Sequence, residues 1–184
     1  MKITIHTTPE EAKELGKTCN KSGHCCKYSG GIVLNEDIPR ISTHLEMTEE
    51  GFKKHYLNQH TRFNTTHWIL NTKKTNKPYG PCIFLDKNLC SIHEVKPLYC
   101  KVGTCCDEEV GDQLIQWFNI HHFVNIDDPV SLREWALSTE NKKLIQGAHI
   151  KELLTEEEYN AIMTYQELQH NTKQEQHQKS HQEK

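Results

Sequence analysis

No stretch of this 184-residue chain approaches the roughly 18 consecutive apolar residues that a membrane-spanning helix needs. Met1 to Leu15 is polar and charged, without the apolar run of a secretory signal. Apolar content is low, at 35%, and mean hydropathy is −0.77, so the core is expected to be small and to need support beyond packing. Neither sign of charge dominates. The formal net charge of −3 gives no argument for a nucleic-acid or membrane surface, and no nucleic-acid partner is evident. There is no glycine-rich loop for a nucleotide, since Gly30-Gly31 is too short, and no internal repeat. These absences point to one cytoplasmic domain, a compartment in which thiols stay reduced.

What the chain does have is cysteine, eight in all. In a reducing compartment such a set reads as metal-binding or catalytic rather than disulfide-bonded. Cys19, Cys25 and Cys26 lie together near the N-terminus; Cys82, Cys90, Cys100, Cys105 and Cys106 form a second group about 55 residues later. A thiolate site drawing on both groups would staple the N-terminal segment onto the rest, and structural zinc sites supply ~10 kcal/mol or more of folding energy in this way. All eight are candidate metal ligands. Neighbours on a strand face opposite ways, so Cys25 and Cys26 either share a site on a turn, which Gly23 and Gly30-Gly31 make plausible, or serve different metals. Cys105 and Cys106 repeat that choice, and eight thiolates would suffice for two four-ligand sites. Lys21, Lys27, Lys87, Lys96 and Lys101 stand beside the cysteines, where they could offset thiolate charge or simply be solvated.

The rest of the pattern predicts an α+β fold: a small cysteine- and metal-stabilised domain with short strands, flanking helices and a disordered C-terminal tail. Thr8-Pro9-Glu10-Glu11 is a capping box opening a helix that ends at Gly16. Asn35-Glu36-Asp37 leads into a second helix with Ile38, Ile41 and Leu45, and Thr48 caps a third with Phe52, Tyr56 and Leu57. Trp68–Leu70, Cys82–Leu85 and Leu89–Ile92 read as short strands, the last two joined by a turn at Asp86-Lys87-Asn88. Gln113–Val124 is apolar without a clean period, leaving helix and strand open. Helices are expected again after Asp127-Asp128-Pro129, over Leu144–Ala148, and from the capping box at Thr155. The expected domain spans 1–168, with its motif core at 19–106 and a helical part at 130–168; residues 169–184 hold only polar side chains and read as a disordered tail.

Several fragments, taken in order, resemble one family. Cys19-Asn20-Lys21-Ser22-Gly23-His24-Cys25-Cys26, then Ile32 to Ile38, Cys82-Ile83-Phe84-Leu85-Asp86, Cys90-Ser91-Ile92-His93-Glu94 and Lys96-Pro97-Leu98-Tyr99-Cys100-Lys101 resemble the YkgJ family of zinc- or iron-chelating cysteine-cluster proteins, of the CxxCxxCC type. The resemblance implies a bipartite chelating site. Ser22 stands where that pattern expects a second cysteine, and Cys106 is a cysteine that it does not require. A hydroxyl is a poor ligand for soft metals, so Ser22 is not expected to coordinate and Cys106 is the candidate replacement ligand. Ile83, His93, Lys96 and Lys101 also depart from the usual residues.

Thiolate ligands suit both zinc and an iron–sulfur cluster. The cysteine spacings match neither zinc-finger pairs nor the ferredoxin run, and lean towards iron–sulfur. Three functions follow: a metal-binding module, an S-adenosylmethionine-dependent protein methyltransferase-like enzyme (flagellin lysine N-methylase carries a similar domain), or metal trafficking and sensing. Whether any reaction is catalysed, on a protein substrate or otherwise, is left open. His24 and His93 are the histidines nearest the motifs; His121-His122 is expected to pack or cap, and Cys106 is the first candidate for a nucleophile.

Overall fold

The computed structural model describes residues 2–17, 22–103 and 107–165. Thr8 caps α1 (Pro9–Gly16) through the Glu11 backbone amide, and Glu11 returns the bond to Thr8, the expected capping box. The chain then makes a 3-10 turn at Cys25–Lys27 and enters β1 (Ile32–Val33), α2 (Asp37–His44) and α3 (Glu49–Tyr56), the last capped by Thr48. Leu57, expected at the end of α3, instead opens β2 (Leu57–Arg62).

β2 pairs with β3 (Thr65–Leu70) from Leu57↔Leu70 to Arg62↔Thr65, and β1 joins the other side of β3, giving the order β1-β3-β2. The β2–β3 loop is Phe63-Asn64, both with positive φ, the pattern of a type I′ turn that suits the twist of a hairpin. Phe63 accepts this unusual backbone while its ring is buried edge-on to Trp135, at 5.5 Å.

A second hairpin, β4 (Leu85–Asp86) with β5 (Leu89–Cys90), turns on Lys87-Asn88, again with two positive φ values. Both strands are shorter than the sequence predicts. Cys82 makes only an isolated bridge to Thr72, and the residues after Cys90 turn into a 3-10 segment at His93–Val95. Next come α4 (Leu98–Val102), α5 (Glu108–His122), α6 (Pro129–Thr139), α7 (Ile150–Leu153) and α8 (Glu156–Met163), so the α+β expectation holds. Of the undecided stretch, residues 113–122 form the body of α5, which ends before Phe123 and Val124. Its periodicity is blurred because Gln116 and Asn119 are buried along with Leu114, Trp117 and Phe118.

The expected helix over Leu144–Ala148 is a loop. Gly147 has a φ of +86°, Ile145 donates its N–H to the Gln116 Oε1, and Ile5 donates to the Gln146 carbonyl, so tertiary partners take the bonds a helix would use. A first apolar cluster forms around Trp117, Phe118 and Trp135; their packing is pinned by Trp117 Nε1 to the Thr7 carbonyl and Trp135 Nε1 to the Ala148 carbonyl. A second gathers Val33, Ile38, Ile41, Phe52, Leu70, Phe84 and Ile92, and a third is built from Leu132, Ile150 and Ile162. The expected tail at 169–184 lies outside the described residues.

Candidate metal centre

Three separate segments bring cysteines to one place. The Cys25–Lys27 turn closes with Cys26 N–H on the Gly23 carbonyl, and Gly23 takes a φ of +66° there. Only glycine fits, since a Cβ at Gly23 would sit 2.5 Å from the Asn88 oxygen on the tip of the second hairpin. Cys25 and Cys26 share that turn with sulfurs 3.9 Å apart, as a common site demands. The Cys26 carbonyl accepts from Cys82 N–H at 2.7 Å, a main-chain bond that joins the two cysteine groups directly. Cys90 is placed by its pairing with Leu85 across the hairpin.

Cys100 sits on the short helix α4, whose start is held by a buried carboxylate. Asp37, 3% exposed, accepts from the Leu34 and Leu98 backbone amides and pairs with Arg40. Arg40 in turn donates to the Lys96 carbonyl. α2 therefore fixes where α4, and with it Cys100, begins. Nothing in the sequence pattern distinguished Asp37 from an ordinary acidic residue at a helix start.

These elements enclose a cavity of about 390 Å³ lined by all five described cysteines, Cys25, Cys26, Cys82, Cys90 and Cys100. Leu70, Cys82 and Ile92 of the second cluster form one wall; Tyr99, which packs against the first cluster, forms another. Cys82 is buried, Cys25 is exposed, and the other three are half-buried. Gly31 is the cradle for Cys100: a Cβ there would lie 2.1 Å from the Cys100 sulfur. Sequence reading saw in Gly30-Gly31 only loose backbone, whereas the pair is a close-packed floor, with Gly30 likewise against the Leu70 carbonyl.

The thiols share one electrostatic neighbourhood. Burial, then the Cys82, Cys25 and Cys90 sulfurs, pushes the Cys100 thiol far above its ordinary range, and Lys96 opposes this. Burial also pushes Cys82 up, helped by Cys90 and Cys25, while the Phe84 and Gly31 backbone amides act the other way. Such thiols resist ionisation until a cation supplies the missing counter-charge, which is what a bound metal does. The donor set and the cradle therefore fit a thiophilic metal. Among the described residues no three His, Cys, Asp or Glu side chains are grouped closely enough to hold one ion.

Cys19, Cys105 and Cys106 lie outside the described residues. Ser22 is exposed and its hydroxyl accepts from His24 N–H rather than lining the cavity. His93 does line the cavity and His24 does not. His121 and His122 pack on Trp117 and Phe118, as expected. Of the neighbouring lysines, Lys96 lines the cavity; Lys27 and Lys87 are exposed beside it.

Residues 18–119 match the model of the CxxCxxCC family, whose description reads "putative zinc- or iron-chelating domain". No curated protein and no solved structure matches the chain.

Proposed function

We propose that this chain, which belongs to the CxxCxxCC family, holds a metal centre in the thiol-lined cavity through Cys25, Cys82, Cys90 and Cys100, with Cys26 at its edge. The observation that carries the reading is that five cysteines from three segments line one cavity, with the Cys26–Cys82 main-chain bond joining two of those segments. Cys19 belongs to the same proposed set by its place in the motif, Cys105 and Cys106 by their place in the second cysteine group. The chain's own contribution is to hold the thiols, shield them with Leu70, Ile92 and Tyr99, and balance their charge with Lys96.

An iron–sulfur cluster is the favoured occupant. The cavity of about 390 Å³ has room for a cluster, and the cysteine spacings match no zinc-finger pair. Four thiolates are the usual complement of such a cluster. Zinc is the second reading, favoured by one contact: the 3.9 Å between the Cys25 and Cys26 sulfurs is close to the ~3.8 Å edge of a tetrahedron with 2.3 Å metal–sulfur bonds. Either occupant needs its cysteines reduced when it binds, the state in which the cytoplasm keeps thiols.

Anaerobic purification followed by iron, zinc and acid-labile sulfide analysis separates the two. A brown protein with iron and matching sulfide is expected. Stoichiometric zinc without sulfide would overturn the cluster and leave the thiolate site; no bound metal would overturn both.

A further inference from the structure

The net charge of −3 conceals a strong segregation. Residues 22–31 and 71–92 hold five lysines, Lys27, Lys73, Lys74, Lys77 and Lys87, against a single acid, Asp86, so the remainder of the chain carries −7. The structure places these two segments side by side: Cys82 bonds Cys26, Gly23 abuts Asn88, and Tyr28 and Tyr79 rings meet at 5.8 Å. All five lysines are exposed.

Aromatic rings are interleaved with this charge. His24 contacts Tyr28 edge-on at 5.4 Å, Tyr28 contacts Tyr79, and the Lys77 ammonium lies 5.5 Å from the Tyr79 ring centre. Tyr28 and Tyr79 remain 52% and 45% exposed, and Leu89 at the hairpin is 58% exposed. Two neighbouring tyrosines left about half exposed within a lysine-rich rim present ring faces on which a partner can stack. Gly23, Asn88 and Leu89 also line the thiol cavity, so the face is the rim of its mouth.

We propose that this rim binds single-stranded nucleic acid, with the lysines on phosphates and Tyr28 and Tyr79 stacked on bases. Charge complementarity selects a polyanion, and the exposed rings select one with planar groups free to stack. Among the described residues the face is built from a 3-10 turn, loops and a hairpin of two-residue strands, too short to lie along a groove, which disfavours a duplex. The proposal does not depend on which metal fills the cavity.

The test is fluorescence anisotropy of the full chain with labelled oligo-dT and oligo-rU of about 15 nucleotides, a duplex of equal length, and polyglutamate as the acidic-polypeptide probe. Up to five phosphate contacts predict a log–log salt slope of about −3.5 for the single strands. Tyr28→Ala and Tyr79→Ala should each weaken binding by ~5- to 150-fold, while Tyr28→Phe, which keeps the ring, binds as wild type. Joint Lys27→Gln and Lys87→Gln substitution should flatten the slope by about 1.4, and Lys54→Gln on α3 should leave it unchanged. Metal content is measured for every variant, so damage to the thiol site is distinguished from loss of the rim. Absence of salt-dependent binding overturns the proposal; so does duplex or polyglutamate binding as tight as the single strands, or indifference to both tyrosine-to-alanine changes.

Discussion

Gly31→Ala offers a sharp perturbation of the centre, because it alters one contact. Its new Cβ would stand 2.1 Å from the Cys100 sulfur, whereas ordinary contact begins near 3.4 Å, so the sulfur must retreat by 1.3 Å or more. That is more than half the length of a ~2.3 Å metal–sulfur bond. Gly31 does not have a positive φ, so the added methyl acts through sterics and not backbone strain. Relief requires the Cys100 sulfur to leave the position it holds on the cavity, by side-chain rotation or by a shift of α4. Overpacking of this kind costs about 1–3 kcal/mol of stability. A misplaced ligand should lower metal affinity by more than the ~10–100-fold that follows loss of a supporting group around a metal. Metal titration against a competing chelator, with urea unfolding of the metal-free chain alongside, reads both quantities. Gly51→Ala, where the new Cβ meets only the Thr48 hydroxyl at 3.1 Å on α3, is the control and should leave metal affinity unchanged. Wild-type metal affinity in Gly31→Ala would refute a ligand role for Cys100.

Asp37→Asn removes the charge from a buried acceptor of two backbone amides and the Arg40 pair; urea unfolding should show a loss of about 2–4 kcal/mol, and a loss below ~1 kcal/mol would contradict the anchoring of α4. Thr8→Ala deletes the α1 cap and should cost about 1 kcal/mol by the same assay. Burial, aided by their histidine neighbours, holds His67 and His122 below the ordinary histidine range, and the buried His67 Nε2 has no hydrogen-bond partner among the described residues. The unfolded chain, with histidines titrating near 6.5, then binds more protons than the folded one as pH falls below about 7. The urea midpoint of the metal-free chain should therefore drop from about pH 7.5 to 5.5, and His67→Phe should shrink that drop; an unchanged pH profile would contradict it.

The capping boxes at Thr8 and Thr155 were legible because their chemistry is local, as was the turn that lets Cys25 and Cys26 face together. Long-range partners set what was not. β2 reads as no strand because Asn58 to Thr61 are all exposed; its existence depends on β3 beside it. Phe63-Asn64 lacks the glycine that announces such a turn, and the burial of the Phe63 ring supplies the compensation. The loop at 144–148 carries helix-like apolar spacing, yet Gln116 and Ile5 claim its backbone. At the centre, the cysteines were evident from their number and motif, whereas the residues that set their geometry were not. Asp37 acts across 61 positions on Leu98, and Gly31 matters for the side chain it lacks.

X-ray absorption at the edge of the bound metal tests the central claim most directly. The account predicts a shell of sulfur neighbours at about 2.3 Å that loses a scatterer, or vanishes with the metal, in Cys100→Ser. A nitrogen or oxygen shell at about 2.0–2.1 Å, or a sulfur shell untouched by Cys100→Ser, would contradict it.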